Sequence, residues 1–339
     1  MLIWAQLEGH DERPIEVNIG GPIRALAFAA AARHGEYLVS GDKETVRIWR
    51  MKDRNLSSIA TMAVGVVNCL AVSEDGKRIA AGRWLGDVVV WDANTFEKVI
   101  TLEDDYVNGV DFSPDSTRLV AASDNKTANV WDVTTGEKVL TLLLENDVRA
   151  AKYSPLGDRI ATATQKFVRV FSSADGAPLL DIKVNVTPWY NTGLLWSTQG
   201  QHIFVVSEDK IKQIEAFTGS LASEWPVPGT NASSCIVLPW REDFIACSAS
   251  CTVSFWDTST DVQLGLDQLP QDMRSIALSP DGRSIAIGGA DGKIVIKKLS
   301  HTYVCMPLDV MAYLNAFSTI CCNLDVDCTI YGSRSSRAC

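Results

Sequence analysis

Residues 107–142 read VNGVDFSPDSTRLVAASDNKTANVWDVTTGEKVLTL, and this stretch decides the fold. Short runs of strand-forming residues alternate in it with turn-forming residues, such as Pro114-Asp115-Ser116 and Thr134-Thr135-Gly136. The stretch has no run with the periodicity of an amphipathic helix, so we expect no helical crossover between the strands. It therefore predicts a small antiparallel sheet of four strands.

The same layout recurs along the chain with a constant period. The third run of each unit ends at an aromatic or equivalent position, namely Trp49, Trp91, Trp131, Phe171, Ile214, Trp256 and Lys297. Successive positions are 42, 40, 40, 43, 42 and 41 residues apart. A fixed period of this length indicates a repeat architecture in which each unit is one supersecondary element. Four short strands per unit are typical of a propeller blade.

The units resemble WD40 repeats. Trp91-Asp92, Trp131-Asp132 and Trp256-Asp257 match the dipeptide that names the family, and Ser113-Pro114-Asp115 matches the turn between its first two strands. The resemblance implies an all-β fold, a seven-bladed β-propeller of four-stranded antiparallel blades. It also implies that an N-terminal strand closes the last blade, since the last repeat supplies only three strands and residues 14–19 form an isolated strand.

The chain also departs from the family pattern. The Gly-His pair of the family occurs only as Gly9-His10, and Ile214 and Lys297 replace the tryptophan in two units. The hydrogen-bond network that the resemblance implies is therefore incomplete in every blade. We expect a modest stability that depends on apolar packing between sheets.

The repeat pattern predicts that the chain consists of two parts. Residues 1–300 are expected to form the propeller, with residues 10–20 as the closing strand. Residues 301–339 lack the period and are rich in cysteine, and we expect a poorly ordered appendage or a segment foreign to the native protein. A zinc site in this tail is disfavoured because its cysteines lack paired CxxC spacing. Trp4 looks like the end of a further third strand, so the chain either begins inside a longer protein or uses its first residues to clasp the ring.

Composition limits the classes of partner. The 339 residues are 46% hydrophobic and 21% charged, which is typical of a packed globular protein. A net charge of -10 argues against nucleic acid or an anionic membrane as partner, because phosphate binding requires clustered cations. The N-terminus has no secretory pattern, so we expect a cytoplasmic or nuclear location.

The sequence offers little for catalysis. It has no nucleophile elbow, zinc-protease, P-loop or dinucleotide motif, and its four histidines fall in different units. We therefore predict no catalytic residue, no cofactor and no metal. One alternative remains, because residues 216–225 (AFTGSLASEW) loosely resemble the tryptophan-docking stretch of quinoprotein dehydrogenase propellers. An absorbance scan for bound quinone distinguishes that alternative.

A ring of polar residues is the candidate binding site. The inner strands align on Phe28, Val72, Phe112, Tyr153, Trp196, Leu238 and Leu278. The residue four places upstream is polar in every unit, and the set is Arg24, Asn68, Asn108, Arg149, Thr192, Ser234 and Arg274. This pattern indicates a register that meets water at the channel mouth. A solvated channel wall alone would give the same pattern.

The three arginines of this ring suggest a partner. Guanidinium groups suit carboxylates and phosphates, so an acidic or phosphorylated peptide is one possible ligand. Tyr106, Trp189 and Tyr190 lie just before inner strands and are either interface anchors or packing residues. We therefore predict a non-enzymatic scaffold or adaptor that binds a protein or peptide across the propeller face. The alternatives are a regulatory sensor fragment of a longer WD40 signalling protein and, more remotely, a quinoprotein dehydrogenase.

Overall fold

The computed structural model describes residues 14–31, 35–52, 55–186, 193–207, 210–227, 232–237, 244–249, 252–258, 262–268 and 273–299. The chain divides into two units, residues 1–298 and 299–339, of which the second is described only at residue 299. The predictions for Trp4, for the Gly9-His10 pair and for the tail at 301–339 lie outside the described residues. The domain boundary at residue 300 stays a prediction.

Within the described residues, 28 strands form seven four-stranded antiparallel sheets. Sheets 1 to 3 contain β2 (Ala25–Ala31), β3 (Gly35–Gly41), β4 (Thr45–Lys52), β5 (Asn55–Ala63); β6 (Val67–Val72), β7 (Arg78–Arg83), β8 (Val88–Asp92), β9 (Lys98–Leu102); and β10 (Val107–Phe112), β11 (Arg118–Ser123), β12 (Thr127–Asp132), β13 (Lys138–Leu143). Sheets 4 and 5 contain β14 (Val148–Tyr153), β15 (Arg159–Thr164), β16 (Phe167–Ser172), β17 (Pro178–Lys183); and β18 (Leu194–Trp196), β19 (His202–Ser207), β20 (Lys210–Glu215), β21 (Leu221–Pro226). Sheets 6 and 7 contain β22 (Ala232–Val237), β23 (Phe244–Ala249), β24 (Thr252–Asp257), β25 (Val262–Gln268); and β26 (Met273–Leu278), β27 (Ser284–Gly289), β28 (Lys293–Lys298) with β1 (Ile15–Asn18).

Short polar side chains fix two turns of sheet 3. In sheet 3 the Ser113 hydroxyl donates to Asp115 Oδ1 at 2.5 Å and accepts from the Arg118 amide at 2.9 Å. At the next turn, Asp132 Oδ1 accepts from the amides of Thr134 and Thr135, both at 2.8 Å. Such local bonds offer the backbone partners that the strand ladder no longer supplies. The Ser-Pro-Asp and Trp-Asp motifs therefore act as turn motifs.

The core lies between neighbouring sheets. One buried cluster combines Val88 of sheet 2 with Leu119 and Trp131 of sheet 3. The repeated third-strand position enters such an interface in sheets 1 to 6, at Trp49, Trp91, Trp131, Phe171, Ile214 and Trp256. A large apolar side chain recurs there because it fills the space toward the preceding sheet.

The polar partners of the repeated tryptophans differ from sheet to sheet. Trp49 Nε1 donates to Ser40 Oγ at 2.8 Å, whereas Trp131 Nε1 lies 3.4 Å from Asp104 Oδ2. Trp256 Nε1 is buried without a partner among the described residues. The network is therefore not repeated from blade to blade, and the modest stability expected from this stays a prediction.

The innermost strands contact one another in sequence order. β2 contacts β6, β6 contacts β10, and the series continues through β14, β18, β22 and β26, which in turn contacts β2. β1 pairs with β28, with Ile15 opposite Ile296 and Asn18 opposite Lys293. An all-β propeller of four-stranded antiparallel blades is thus confirmed. No helix among the described residues is long and apolar enough to cross a membrane.

Candidate functional site

Four residues of the predicted polar ring lie at β-bulges. We name the end of the ring where the innermost strands begin the upper end, and the end where they finish the lower end. The pairing of the innermost strand with its neighbour shifts at Asn68, Asn108, Arg149 and Arg274. A bulge leaves its extra residue out of the ladder and re-aims the side chain. The four positions are therefore equivalent in backbone geometry at the upper end.

Asn68 and Asn108 use this geometry to join sheets. Asn68 Nδ2 donates to the Val107 carbonyl at 3.0 Å, and Asn108 Nδ2 donates to the Val148 carbonyl, also at 3.0 Å. Their exposed fractions are only 7% and 8%. The interpretation that these two residues meet water is wrong, because each bulge turns the amide toward the next sheet.

Arg149 lies in a local ion cluster. Its guanidinium is 3.2 Å from Asp124 Oδ1 and 3.1 Å from Asp147 Oδ2. Asn108 Nδ2 also donates to Asp124 Oδ1, at 2.5 Å. Two carboxylates thus offset the charge of Arg149, and the predicted cationic character of the ring does not extend to sheet 4.

Arg24 and Arg274 are at least partly exposed at the upper end. Arg24 precedes β2, and its guanidinium lies over the Trp84 ring at 5.7 Å from the centroid. Arg274 is exposed in sheet 7, which adjoins sheet 1 through β26 and β2. Leu85, next to Trp84 in the β7–β8 turn, is 68% exposed. Sequence reasoning missed Trp84 and Leu85, although two large apolar residues in a tight turn are a detectable signal.

Tyr106 is the predicted aromatic residue that the structure places at the upper end. It is 45% exposed, with a backbone φ of 45° in the left-handed region. Its carbonyl accepts from the Asp124 amide at 3.2 Å, which fixes the residue beside the β11–β12 turn. A bulky residue rarely adopts this conformation, so local contacts must stabilise it.

The remaining predicted site residues are only partly described. Thr192, Trp189 and Tyr190 lie outside the described residues. In sheet 6 the pairing shifts between Ala232 and Ser234, so the bulge residue is Ser233. The alignment that selected Ser234 is wrong by one residue there. The partner-binding role of the whole set stays a prediction.

A cavity of about 470 Å³ lies at the lower end. Its walls come from the last residues of the innermost strands and from the turns that follow them, in sheets 2, 3, 4, 5 and 7. The lining residues are Val72, Glu74, Asp111, Phe112, Ser113, Pro114, Lys152, Tyr153, Ser154, Pro155, Leu195, Trp196, Thr198 and Leu278. Lys152 Nζ lies 2.8 Å from Asp111 Oδ1, and Asp111 Oδ2 accepts from the Tyr153 amide at 2.9 Å. Sequence reasoning used the apolar strand ends only for alignment and did not predict the cavity.

The described residues offer few elements of a catalytic centre. Within them, no three His, Cys, Asp or Glu side chains are grouped so as to hold a metal ion. Cys69 is buried, and desolvation raises the pKa of its thiol to about 12, opposite to the shift that activates a nucleophile. The stretch 216–225 forms the β20–β21 turn and most of β21, and Trp225 packs near Phe204 with ring centroids 6.4 Å apart.

Comparison with protein families identifies the class of protein. The WD40 family model, described as WD domain, G-beta repeat, matches residues 58–92, 96–132 and 269–296. The first two matches end at Asp92 and Asp132, the final residues of β8 and β12. Each of them spans an outer strand and the first three strands of the next sheet, so one repeat links two blades.

The WD40 repeats at these positions and the propeller fold together are consistent with the WD40-repeat family, which confirms the resemblance seen in the sequence. WD40 propellers are generally protein-interaction scaffolds and are typically non-enzymatic. A comparison with curated proteins found no match.

Proposed function

We propose that this chain is a non-enzymatic scaffold whose seven sheets close into one ring of seven blades, with β1 completing the last blade. The return contact from β26 to β2 and the pairing of β1 with β28 support this closure. Closure matters for function because it removes open sheet edges and gives the loops a rigid base. The partner is a protein or peptide that binds across the upper end.

The group of Arg24, Trp84 and Leu85 is the observation that carries the binding proposal. Arginine and tryptophan are the residue types most often found at interface anchors, and an exposed leucine beside them loses unfavourable water contact on binding. The guanidinium stacked on an indole is positioned before any partner arrives, which reduces the ordering cost of binding. Tyr106 on sheet 3 extends the same end of the ring.

The arginines of sheets 7 and 1 favour an acidic or phosphorylated peptide as the partner. Arg274 is exposed on sheet 7 and Arg24 precedes the first strand of the adjacent sheet 1, so both guanidinium groups lie in the same part of the upper end. Planar guanidinium groups bind carboxylate or phosphate oxygens in pairs. The net charge of -10 does not favour nucleic acid or an anionic membrane. We also propose a cytoplasmic or nuclear location.

Affinity capture with paired variants tests this function. The variant Arg24→Glu/Arg274→Glu is compared with Lys98→Glu/Arg283→Glu, which makes the same change of charge on two exposed residues at the lower end, in β9 and in the β26–β27 turn. We expect the first variant to recover at least about tenfold less partner, because the new glutamates repel an acidic peptide. The control is expected to keep its partner. Equal recovery by both variants would refute binding at the upper end.

Thermal melts of both variants accompany the capture. Arg274 is exposed, so its reversal is expected to leave the melting temperature unchanged. If the double variant unfolds because the stack on Trp84 is lost, Arg274→Glu alone gives the decisive measurement. A full loss of stability in that single variant would contradict its assignment to the binding surface.

A further inference from the structure

The cavity at the lower end is independent of the surface just described. It is built from the ends of the innermost strands, whereas Arg24 and Arg274 lie where those strands begin. Its volume of about 470 Å³ is within the usual range of about 300–1,000 Å³ for ligand pockets. Its location on the axis of the ring lets several sheets contact a single occupant.

The walls of the cavity are mainly apolar and rigidly held. Phe112, Tyr153 and Trp196 are the last residues of β10, β14 and β18, and each is at least nine-tenths buried. Trp196 Nε1 donates to the Lys152 carbonyl at 3.1 Å, which ties sheet 5 to sheet 4 beside the cavity. Leu156 follows the lining residue Pro155 in the β14–β15 turn and is 79% exposed, so this turn adds apolar surface at the lower end. An apolar side chain therefore suits the interior.

The charged side chains that line the cavity determine which ligand charge is favoured. Asp111 and Lys152 are paired at 2.8 Å, so their charges offset each other. Glu74 is exposed at the rim, and no cation in the described part of the chain lies within 4 Å of its carboxylate. The lining therefore carries one uncompensated negative charge beside an apolar interior.

We infer that the lower cavity is a second binding site, which takes an apolar side chain of a partner peptide while a neighbouring lysine or arginine of that peptide pairs with Glu74. The apolar side chain gains from leaving water, and the ion pair fixes the direction of the peptide. The ligand thus has the opposite charge to the one proposed for the upper end. A single propeller then holds two chemically different segments at once.

Two peptide libraries test this inference. Each contains short peptides with one Trp, Phe or Leu in a Gly/Ser background; the basic library places Lys or Arg next to the apolar residue, and the acidic library places Glu there. Because the upper end is proposed to bind acidic peptides, both libraries are also applied to the Arg24→Glu/Arg274→Glu protein, which we expect to capture basic peptides and not acidic ones. Glu74→Lys is expected to reduce capture of basic peptides about tenfold or more, because reversal replaces attraction by repulsion. Leu156→Asp is expected to reduce it as well.

Glu137→Lys is the matched control, since Glu137 is exposed in the β12–β13 turn and does not line the cavity. It is expected to capture basic peptides as the unmodified protein does. Equal capture of basic peptides by the Glu74→Lys and Glu137→Lys proteins would overturn the inference, and so would the absence of capture of basic peptides or equal capture of the two libraries by the Arg24→Glu/Arg274→Glu protein. The variant Arg24→Glu/Arg274→Glu must retain the peptides, because a loss there would place them at the upper end.

Discussion

The two ends of the ring differ in how the innermost strands meet the neighbouring sheets. At the upper end, bulges send Asn68 and Asn108 into the next sheet, where their amides bind backbone carbonyls. At the lower end, strands stop at apolar residues and leave a cavity of about 470 Å³. The upper end is therefore closely joined between sheets 2, 3 and 4, and the lower end is open enough for a ligand.

This difference teaches that equivalent backbone positions need not share a role. Asn108 and Arg274 are both bulge residues, yet Asn108 is 8% exposed and Arg274 lies in solvent. The short amide reaches a carbonyl of the adjacent sheet, whereas the long guanidinium extends past it. Side-chain length and chemistry thus decide between joining blades and extending into solvent.

The largest difference that we expect between the two ends is the loss of unfolding free energy when one carbon atom is added to a side chain. In Gly82→Ala the new Cβ would lie 2.5 Å from both Cys69 Sγ and Val107 Cγ1, so we expect a loss of about 1–3 kcal/mol in unfolding free energy. Val72→Ile adds a methyl group beside the cavity and is expected to change the unfolding free energy by less than about 0.5 kcal/mol. Urea denaturation measures both. Similar losses for the two variants would show that the ends do not differ in packing.

Two bulge residues at the upper end are expected to differ in their contribution to the unfolding free energy. Asn108→Ala leaves the Val148 carbonyl and Asp124 without the amide, and we expect it to cost about 1–3 kcal/mol of unfolding free energy. Arg274→Ala removes an exposed side chain, for which we expect a change within about 0.5 kcal/mol. Partner capture is measured on the same samples and should fall for Arg274→Ala. The assignment fails if Arg274→Ala is the more destabilising of the two.

The turns at the lower end predict a smaller, pH-dependent effect. The Ser113 hydroxyl and the Thr117 amide lower the pKa of Asp115, and the amides of Thr135 and Thr134 lower the pKa of Asp132. A carboxyl whose pKa is lower in the folded state stabilises the fold above its unfolded pKa, and this contribution is lost as pH falls through the folded value. Stability should therefore fall below about pH 4. Urea denaturation of the Asp115→Asn/Asp132→Asn protein should give a lower unfolding free energy at neutral pH and a smaller decrease of that free energy as the pH falls. A decrease equal to that of the unmodified protein would contradict the assignment.

Much of the fold could be predicted because its determinants are local. The spacing of Trp49, Trp91 and Trp131 located the third strand of sheets 1 to 3, since each of these large side chains fills the interface with the preceding sheet. The turn motifs are equally local, because each serine or aspartate bonds to amides two to five residues away. Such contacts depend on neighbouring residues and are visible in a single sequence.

The candidate site was less predictable because it depends on contacts between sheets. Polarity alone selected Asn68 together with Arg274, and only the contacts that each side chain makes at its bulge separate a buried amide from an exposed guanidinium. Alignment on Leu238 displaced the sheet 6 position from Ser233 to Ser234, since β22 ends at Val237. Trp84 and Leu85 were missed because the repeat pattern directed attention to strand starts.

Site-specific photo-crosslinking tests the central claim, binding across the upper end, most directly. A photoreactive phenylalanine analogue is incorporated at Leu85 or at Tyr106 of the protein produced in cells, and at Leu221, which is 55% exposed at the lower end of the outer strand β21. We expect the first two positions to crosslink a common partner protein and Leu221 to crosslink none of it. Crosslinks to that partner from Leu221, with none from Leu85 or Tyr106, would contradict binding at the upper end.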